Sequence, residues 1–426
     1  MDIKFWKDLN EDERRQVLTR PAQISGDKVQ GIVENIIDRI KKEGDAALKE
    51  FSKTLDHYEG DALEMSAEEM QSAAARVSPE LKAAIDTAYE NLYKFHSAQE
   101  PSHVKVETWP GIVCECREHP IDSVGLYVPG GSAPLVSTAL MLAIPAAIAG
   151  CPEVILCSPP PIADGIVYAA MKAGVKRIFN LGGAQAVAAM AYGTKSVPKV
   201  LKIFGPGNQF VTMAKRLVSN DPAGAAIDMP AGPSEVMVVA DDHANPEFVA
   251  ADLLSQAEHG PDSQVLLVTV SAELAQKAEE ATLRQLEALP RREIAQKALS
   301  HSSVIVASDV RQACDIACAY APEHLILQAD DPEDYIPHIR NVGSVFVGAY
   351  TPESLGDYAS GTNHTLPTYG YARTQNALGT ADYRRRYTIQ RANREGLMSI
   401  AQTVETLADA EGLFAHKNAV VVRTKR

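Results

Sequence analysis

The sequence predicts an α/β protein of two doubly wound units, preceded by a helical N-terminal segment and followed by a small C-terminal tail domain. Three observations carry that prediction. From about residue 110, short apolar runs alternate with helical stretches; the alternation begins again near residue 235; and it stops near residue 350. Strands that take turns with helices pair into parallel sheets covered on both faces.

The elements follow in order. Residues 28–55 and 66–100 have helical period, with Ser66 and Glu69 forming a capping box and Ser78 before Pro79 marking a second start. In the first α/β series, SVGLYVP leads into LMLAIPAAIAG, EVILCS into GIVYAAMKAG, KRIFNL into AQAVAAMAYG, and VLKIFG into QFVTMAKRLV. In the second, EVMVVA precedes a helix from Pro246 to His259, and QVLLVTV precedes a long charged helix. SVIVAS then leads into RQACDIACAY, HLILQ into PEDYIPHI, and SVFVG closes the series. LGDYASGTNHTLPTYGYA reads as loop, residues 395–412 as helix, and AHKNAVVVRTKR as a short tail. The two series share no self-similarity that would prove a duplication.

Composition narrows the function. A chain of 426 residues holds two to four domains. A formal net charge of -14 argues against a nucleic-acid binder, which carries a basic face. No apolar run is long enough to cross a bilayer, and Pro145 interrupts the best candidate. The opening MDIKFWKDLNEDERRQ has no apolar signal core and is acidic, so the expected location is the cytoplasm. The six cysteines form no C-x-x-C pair and read as free thiols rather than as a disulfide framework or metal ligands.

Three groups of residues could carry chemistry. Pro129-Gly130-Gly131-Ser132, Gly182-Gly183 and Gly205-Pro206-Gly207-Asn208 each follow an apolar run and open a helix, at the edge where open parallel sheets bind ligands. The dinucleotide fingerprint is incomplete, because Phe210 stands where its third glycine belongs. Turn chemistry alone leaves ligand cradle and plain tight turn equally open. Gln256 and His259 share a helix face and could be half of a metal site, although glutamine is an unusual zinc ligand and an ordinary helix end is the commoner meaning. Asp357 with His416 would complete a four-donor set, but nothing local brings them together. Glu323 and His324 are adjacent at the start of a strand, where Pro322 permits both to face one site. Histidine titrates near neutrality and glutamate can activate water, yet a capped strand start with a surface glutamate fits these residues equally well.

Taken together, GLYVPGGSAPL, GGAQAVAA, KIFGPGNQFV, AAIDMPAGPSEV, DLLSQAEHGPDSQ, PEHLI, SVFVG, ESLGDYASGTNHTLPT and AHKNAV resemble the histidinol dehydrogenase family, from about residue 105 to 420 and in the family's order. The resemblance implies incomplete Rossmann-like domains and oxidation of L-histidinol to L-histidine through histidinal, with two NAD and one zinc per active site. It implies Gln256, His259, Asp357 and His416 as zinc ligands, with Ser234, His364 and Glu411 also contacting substrate. Glu323 and His324 would be the acid–base pair, and NAD would lie near Tyr127, Gln185 and Asn208. It further implies a homodimer in which the tail supplies Glu411 and His416 to the neighbouring site. The expected division is 1–22 as N-terminal segment, 23–126 with 235–374 as one α/β domain, 127–234 as the second, and 375–426 as the exchanged tail. A zinc hydrolase would use the same donors but leave three Gly-rich helix starts without a purpose, and a non-catalytic zinc or metabolite binder is the third alternative.

Overall fold

The computed structural model describes residues 1–21, 26–60, 62–130, 134–229 and 232–425. Two parallel sheets form its frame. The first joins β4 (Ser123–Tyr127), β5 (Glu153–Ser158), β6 (Arg177–Asn180), β7 (Lys202–Phe204) and β8 (Ala226–Ile227) in the order β6-β5-β4-β7-β8. The second joins β9 (Glu235–Ala240), β10 (Gln264–Thr269), β11 (Ser303–Val306), β12 (His324–Gln328) and β13 (Ser344–Val347), and β1 (Asp2–Phe5) pairs with its β11 edge. Within each sheet the first strand of the series sits in the middle, the next two lie to one side and the last two to the other. The two α/β series therefore share one strand order, and each has its reversal point beside its first strand.

Burial follows the pleat. Val236, Val238 and Ala240 of β9 face one apolar core, and Met237 and Val239 face another. Both faces are covered, which is why these strands are apolar throughout. The expected capping box at Ser66 and Glu69 forms, and Ser78 accepts from the Leu81 amide with Pro79 in the first turn. Gly44, at φ 58°, breaks the expected 28–55 helix into Gly26–Glu43 and Asp45–Leu55. Segment PEDYIPHI becomes a 3-10 helix, Pro332–His338, because Pro337 removes a donor.

The packing corrects the expected division into domains. Val29, Val33, Ile36 and Ile40 on Gly26–Glu43 pack with Tyr127, Ile155 and Phe179, and Met70, Ile85 and Leu92 pack with Val124 and Leu126. The helices before residue 98 thus belong with the five-stranded sheet, not with residues 235–374. The proposed boundary at 126/127 falls inside β4, and β1 ties the N-terminal segment to the six-stranded sheet. The 22/23 boundary lies outside the described residues. A small antiparallel sheet, β2 (Val104–Trp109), β3 (Ile112–Pro120) and β14 (Arg384–Ala392), carries the tail. Beyond it, helices Arg394–Ala410 and Phe414–Thr424 pack on each other, so the expected short tail is helical. No helix among the described residues is long and apolar enough to cross a membrane.

Gly205 fixes the turn after β7. Its φ is 122°, and an added Cβ would lie 2.1 Å from the Tyr127 carbonyl oxygen. Gly205→Ala should therefore destabilise the chain by on the order of 3 kcal/mol, read as a lower urea midpoint; an unchanged midpoint would contradict this account of the turn.

Candidate active site

The site lies where the C-terminal edge of the five-stranded sheet meets the N-terminal edge of the six-stranded one. A cavity of about 270 Å³ between them is lined by Gly205, Pro206, Gly207 and Asn208 on one side and by Ser234, His259, Ser263 and Glu323 on the other. The short turn before β12 brings Glu323 and His324 to this edge, and both are buried. The Glu235 peptide at the start of β9 holds them. Its N–H donates to Glu323 Oε2 at 2.9 Å, and its carbonyl lies 3.1 Å from His324 Nδ1. His324 Nε2 has no hydrogen-bond partner and stands 3.4 Å from Asp357 Oδ1.

Helix Pro246–Ala257 starts from an Asn245 cap and ends two residues before the expected His259, whose amide still donates to the Gln256 carbonyl at 3.2 Å. The short helix Glu353–Tyr358 supplies Glu353 and Asp357, one turn apart. The ligand atoms of His259, Glu353 and Asp357 all lie within 4.8 Å of one another. Glu353 did not figure in the sequence reading, although its spacing from Asp357 was a usable signal. Glu353 Oε1 is 3.9 Å from His324 Nδ1.

Three carboxylates around one buried imidazole set the electrostatics. Burial pushes Glu323 up to about 8, helped by the charges of Glu235 and Asp357 against the pull of His324. Burial likewise drives Glu353 well above the carboxylate range. Burial alone would lower His324, but Glu353, Glu323 and Asp357 raise it well above the usual value. Burial would raise Asp357, yet its bond to His324 and the charges of His324, His364 and His259 hold it below. Desolvation lowers His259, against the pull of Asp357, and burial lowers His364 too. Neutral imidazole is the form that ligates metals.

The donor set suits a cation. Gln256 is wholly buried, and neither its amide oxygen nor its nitrogen has a hydrogen-bond partner. Such a group costs free energy unless something is bound there. Gln256 ends the same helix that leads to His259, and the carboxylates alongside carry a surplus of negative charge.

The other expected residues fall in different places. His364 is held inside the chain, with Nδ1 2.9 Å from the Asp357 carbonyl and Nε2 3.1 Å from Thr138 Oγ1. Tyr127 and Gln185 are buried at the five-stranded edge: the Tyr127 hydroxyl accepts from Gly183 N at 3.0 Å, and Gln185 Nε2 donates to Asp56 at 3.0 Å. Asp56, missed in the sequence, also accepts from Gly182 N. At Asn208 the side-chain oxygen caps Phe210 N and Val211 N. These two helix starts are therefore closed by the protein's own groups rather than left as bare phosphate cradles. At the third, Gly131 and Ser132 lie outside the described residues, as do Pro230 and Ala231 ahead of Ser234. Glu411 and His416 are exposed on the tail helices and do not join the His259–Glu353–Asp357 cluster within one chain. Of the six free thiols, Cys157, Cys314 and Cys318 are buried; burial pushes both Cys314 and the half-buried Cys151 up to about 11, the opposite of an activated nucleophile.

Fold and site together define an α/β protein with a buried Glu323–His324 pair next to a cluster of side chains able to ligate a cation. A family model described as histidinol dehydrogenase matches residues 19–424. "Histidinol dehydrogenase" of Vibrio parahaemolyticus is 55% identical over 426 residues, covering 100% of this chain and 99% of that one. The same-named protein of Shigella sonnei is 56% identical over 418 residues, 98% of this chain and 96% of that one. The crystal structure of histidinol dehydrogenase from Elizabethkingia anophelis superposes with a TM-score of 0.96 at 46% identity, covering 99% of this chain and 98% of that one. The chain belongs to the histidinol dehydrogenase family and is an oxidoreductase.

The bare Gln256 amide and the carboxylate surplus make one prediction. Calorimetric titration with Zn²⁺ should show one tight site per chain, weakened at least about tenfold in Gln256→Leu and in Asp357→Ala; equal affinity in all three proteins would refute this donor set.

Proposed function

We propose that this enzyme oxidises L-histidinol to L-histidine through histidinal, the last step of histidine biosynthesis, with one Zn²⁺ per subunit and two NAD per turnover. The observation that carries this reading is the convergence of Glu323, His259 and Ser234 with the Gly205–Asn208 turn around one cavity, with His324 next to Glu323 in the chain. Gln256, His259 and Asp357 would hold zinc, joined by the partner subunit's His416. As a Lewis acid it would orient the substrate's imidazole and amino nitrogens, while NAD near Tyr127, Gln185 and Asn208 would accept the hydride in each half-reaction. A second cavity, of about 790 Å³, opens beside the ends of β5 and β6, lined by Pro160, Pro161, Asn180 and the Asp56 that accepts from Gln185.

The chain's own residues supply the proton transfers. His324, held through Nδ1 by the Glu235 carbonyl, takes the alcohol proton at Nε2 in its neutral form as the first hydride leaves. A free aldehyde is a poor hydride donor, so histidinal must add water before the second oxidation. Glu323, raised by burial to about 8, accepts a proton from that water in its ionised form, and His324 serves as base again for the resulting gem-diol. Ser234, His364 and Glu411 would contact histidinol. For His364 this means exchanging its Thr138 bond for one to substrate.

The direct test follows NADH on adding histidinol and NAD. Two NADH per histidine are expected; no NADH would leave a hydrolase or a binding protein instead, and one NADH would stop the reaction at histidinal.

The tail motivates a homodimer with shared sites. Helix Phe414–Thr424 buries no residue, and Leu407, Leu413, Phe414 and Val422 are exposed. His416 sits on this uncovered helix and Glu411 in the turn before it, outside the cluster of donors they would complete. Mixing His416→Ala chains with His259→Ala chains should restore zinc binding and turnover, since each heterodimer then has one intact site; no recovery after refolding together would exclude shared sites.

A further inference from the structure

We propose that Arg20 and Glu235 are positioning residues whose buried ion pair sets the peptide that holds Glu323 and His324. The inference rests on the reading of Glu323 and His324 as the acid–base pair. Both are gripped by the main chain of a single residue: the Glu235 N–H bonds Glu323 and the Glu235 carbonyl bonds His324. What fixes that peptide fixes the pair.

The Glu235 side chain is 2% exposed and meets Arg20 in two parallel bonds, Nε to Oε1 and Nη2 to Oε2, the latter 2.9 Å long. The Tyr369 amide adds a third bond to Oε1 at 3.0 Å. Arg20 also reaches the other side. Its Nη2 donates to the carbonyls of Tyr320 at 3.0 Å and Ala321 at 3.1 Å, and the guanidinium lies 4.0 Å from the Tyr320 ring centre. Those carbonyls end the helix Val310–Tyr320, directly ahead of Pro322, Glu323 and His324, and Ala321 turns the chain there with φ 60°. One guanidinium is thus bonded to both segments that carry the reacting pair: the start of β9 and the lead-in to β12. Lysine has neither the fork nor the plane to do this. A buried pair is weak as a source of stability, since apolar replacements often serve as well, so its value here is geometric.

The test uses purified full-length protein. Wild type is assayed first; if it makes no NADH from histidinol, the functional reading has failed and the inference falls with it. If it does, Arg20→Lys and Glu235→Gln should lower kcat by about thirty- to a hundredfold, with KM for histidinol within twofold and zinc content unchanged. Added guanidinium ion should recover much of the loss in Arg20→Ala and none in Glu235→Gln. Because a single variant can fail to fold, an Arg20→Met/Glu235→Leu double variant is included, with a thermal midpoint expected near wild type and kcat still low. Wild-type kcat in folded Arg20→Lys, a loss expressed only in KM, or kcat returning with the midpoint in the double variant would each overturn the proposal.

Discussion

Three carboxylates packed around one buried imidazole govern this structure. Glu323, Glu353 and Asp357 all lie within 4 Å of His324, out of water. Such a group cannot be fully ionised without more positive charge than one histidine supplies. Burial raises Glu323 and Glu353 above the usual carboxylate range, and Asp357 pairs with His324. A divalent ion at Gln256, His259 and Asp357 would change that balance, drawing Asp357 away from His324 and freeing the ring to act as a base. The site is a charge arrangement that a cation would complete.

The frame explains how these groups meet. Two doubly wound sheets with one strand order are set so that the C-terminal edge of one faces the N-terminal edge of the other. The first contributes the Gly205–Asn208 turn, the usual ligand edge of an open parallel sheet. The second contributes Ser234, Glu323 and His324 from the starts of two neighbouring strands, β9 and β12. Lys215 and Asp228, a buried ion pair, lock the first edge: Lys215 Nζ bonds the Gly205 carbonyl at 2.8 Å, and Asp228 accepts from Gly205 N at 2.7 Å.

Much of this was legible in the residues. Period and capping found the helices, and continuous apolar runs found nine parallel strands, because strands buried on both faces have no polar alternation to hide in. The Gly-rich turns and Pro322 marked the chain reversals that form the site. Where the helices before residue 98 pack was not legible, since an amphipathic helix fits either sheet equally well. The strand RRRYTIQRA escaped because it is exposed and its charges mask any strand pattern. Asp56 carried no local signal at all; its role appears only when Gly182, more than a hundred residues later, folds against it.

Metal-site occupancy is the most direct test of the account. Crystals grown with Zn²⁺ and histidinol, measured at the zinc edge, should show one anomalous peak per subunit bonded to Gln256, His259 and Asp357. A peak elsewhere, such as at the exposed Asp241–Asp242–His243 group, with Gln256 still bare, would contradict it.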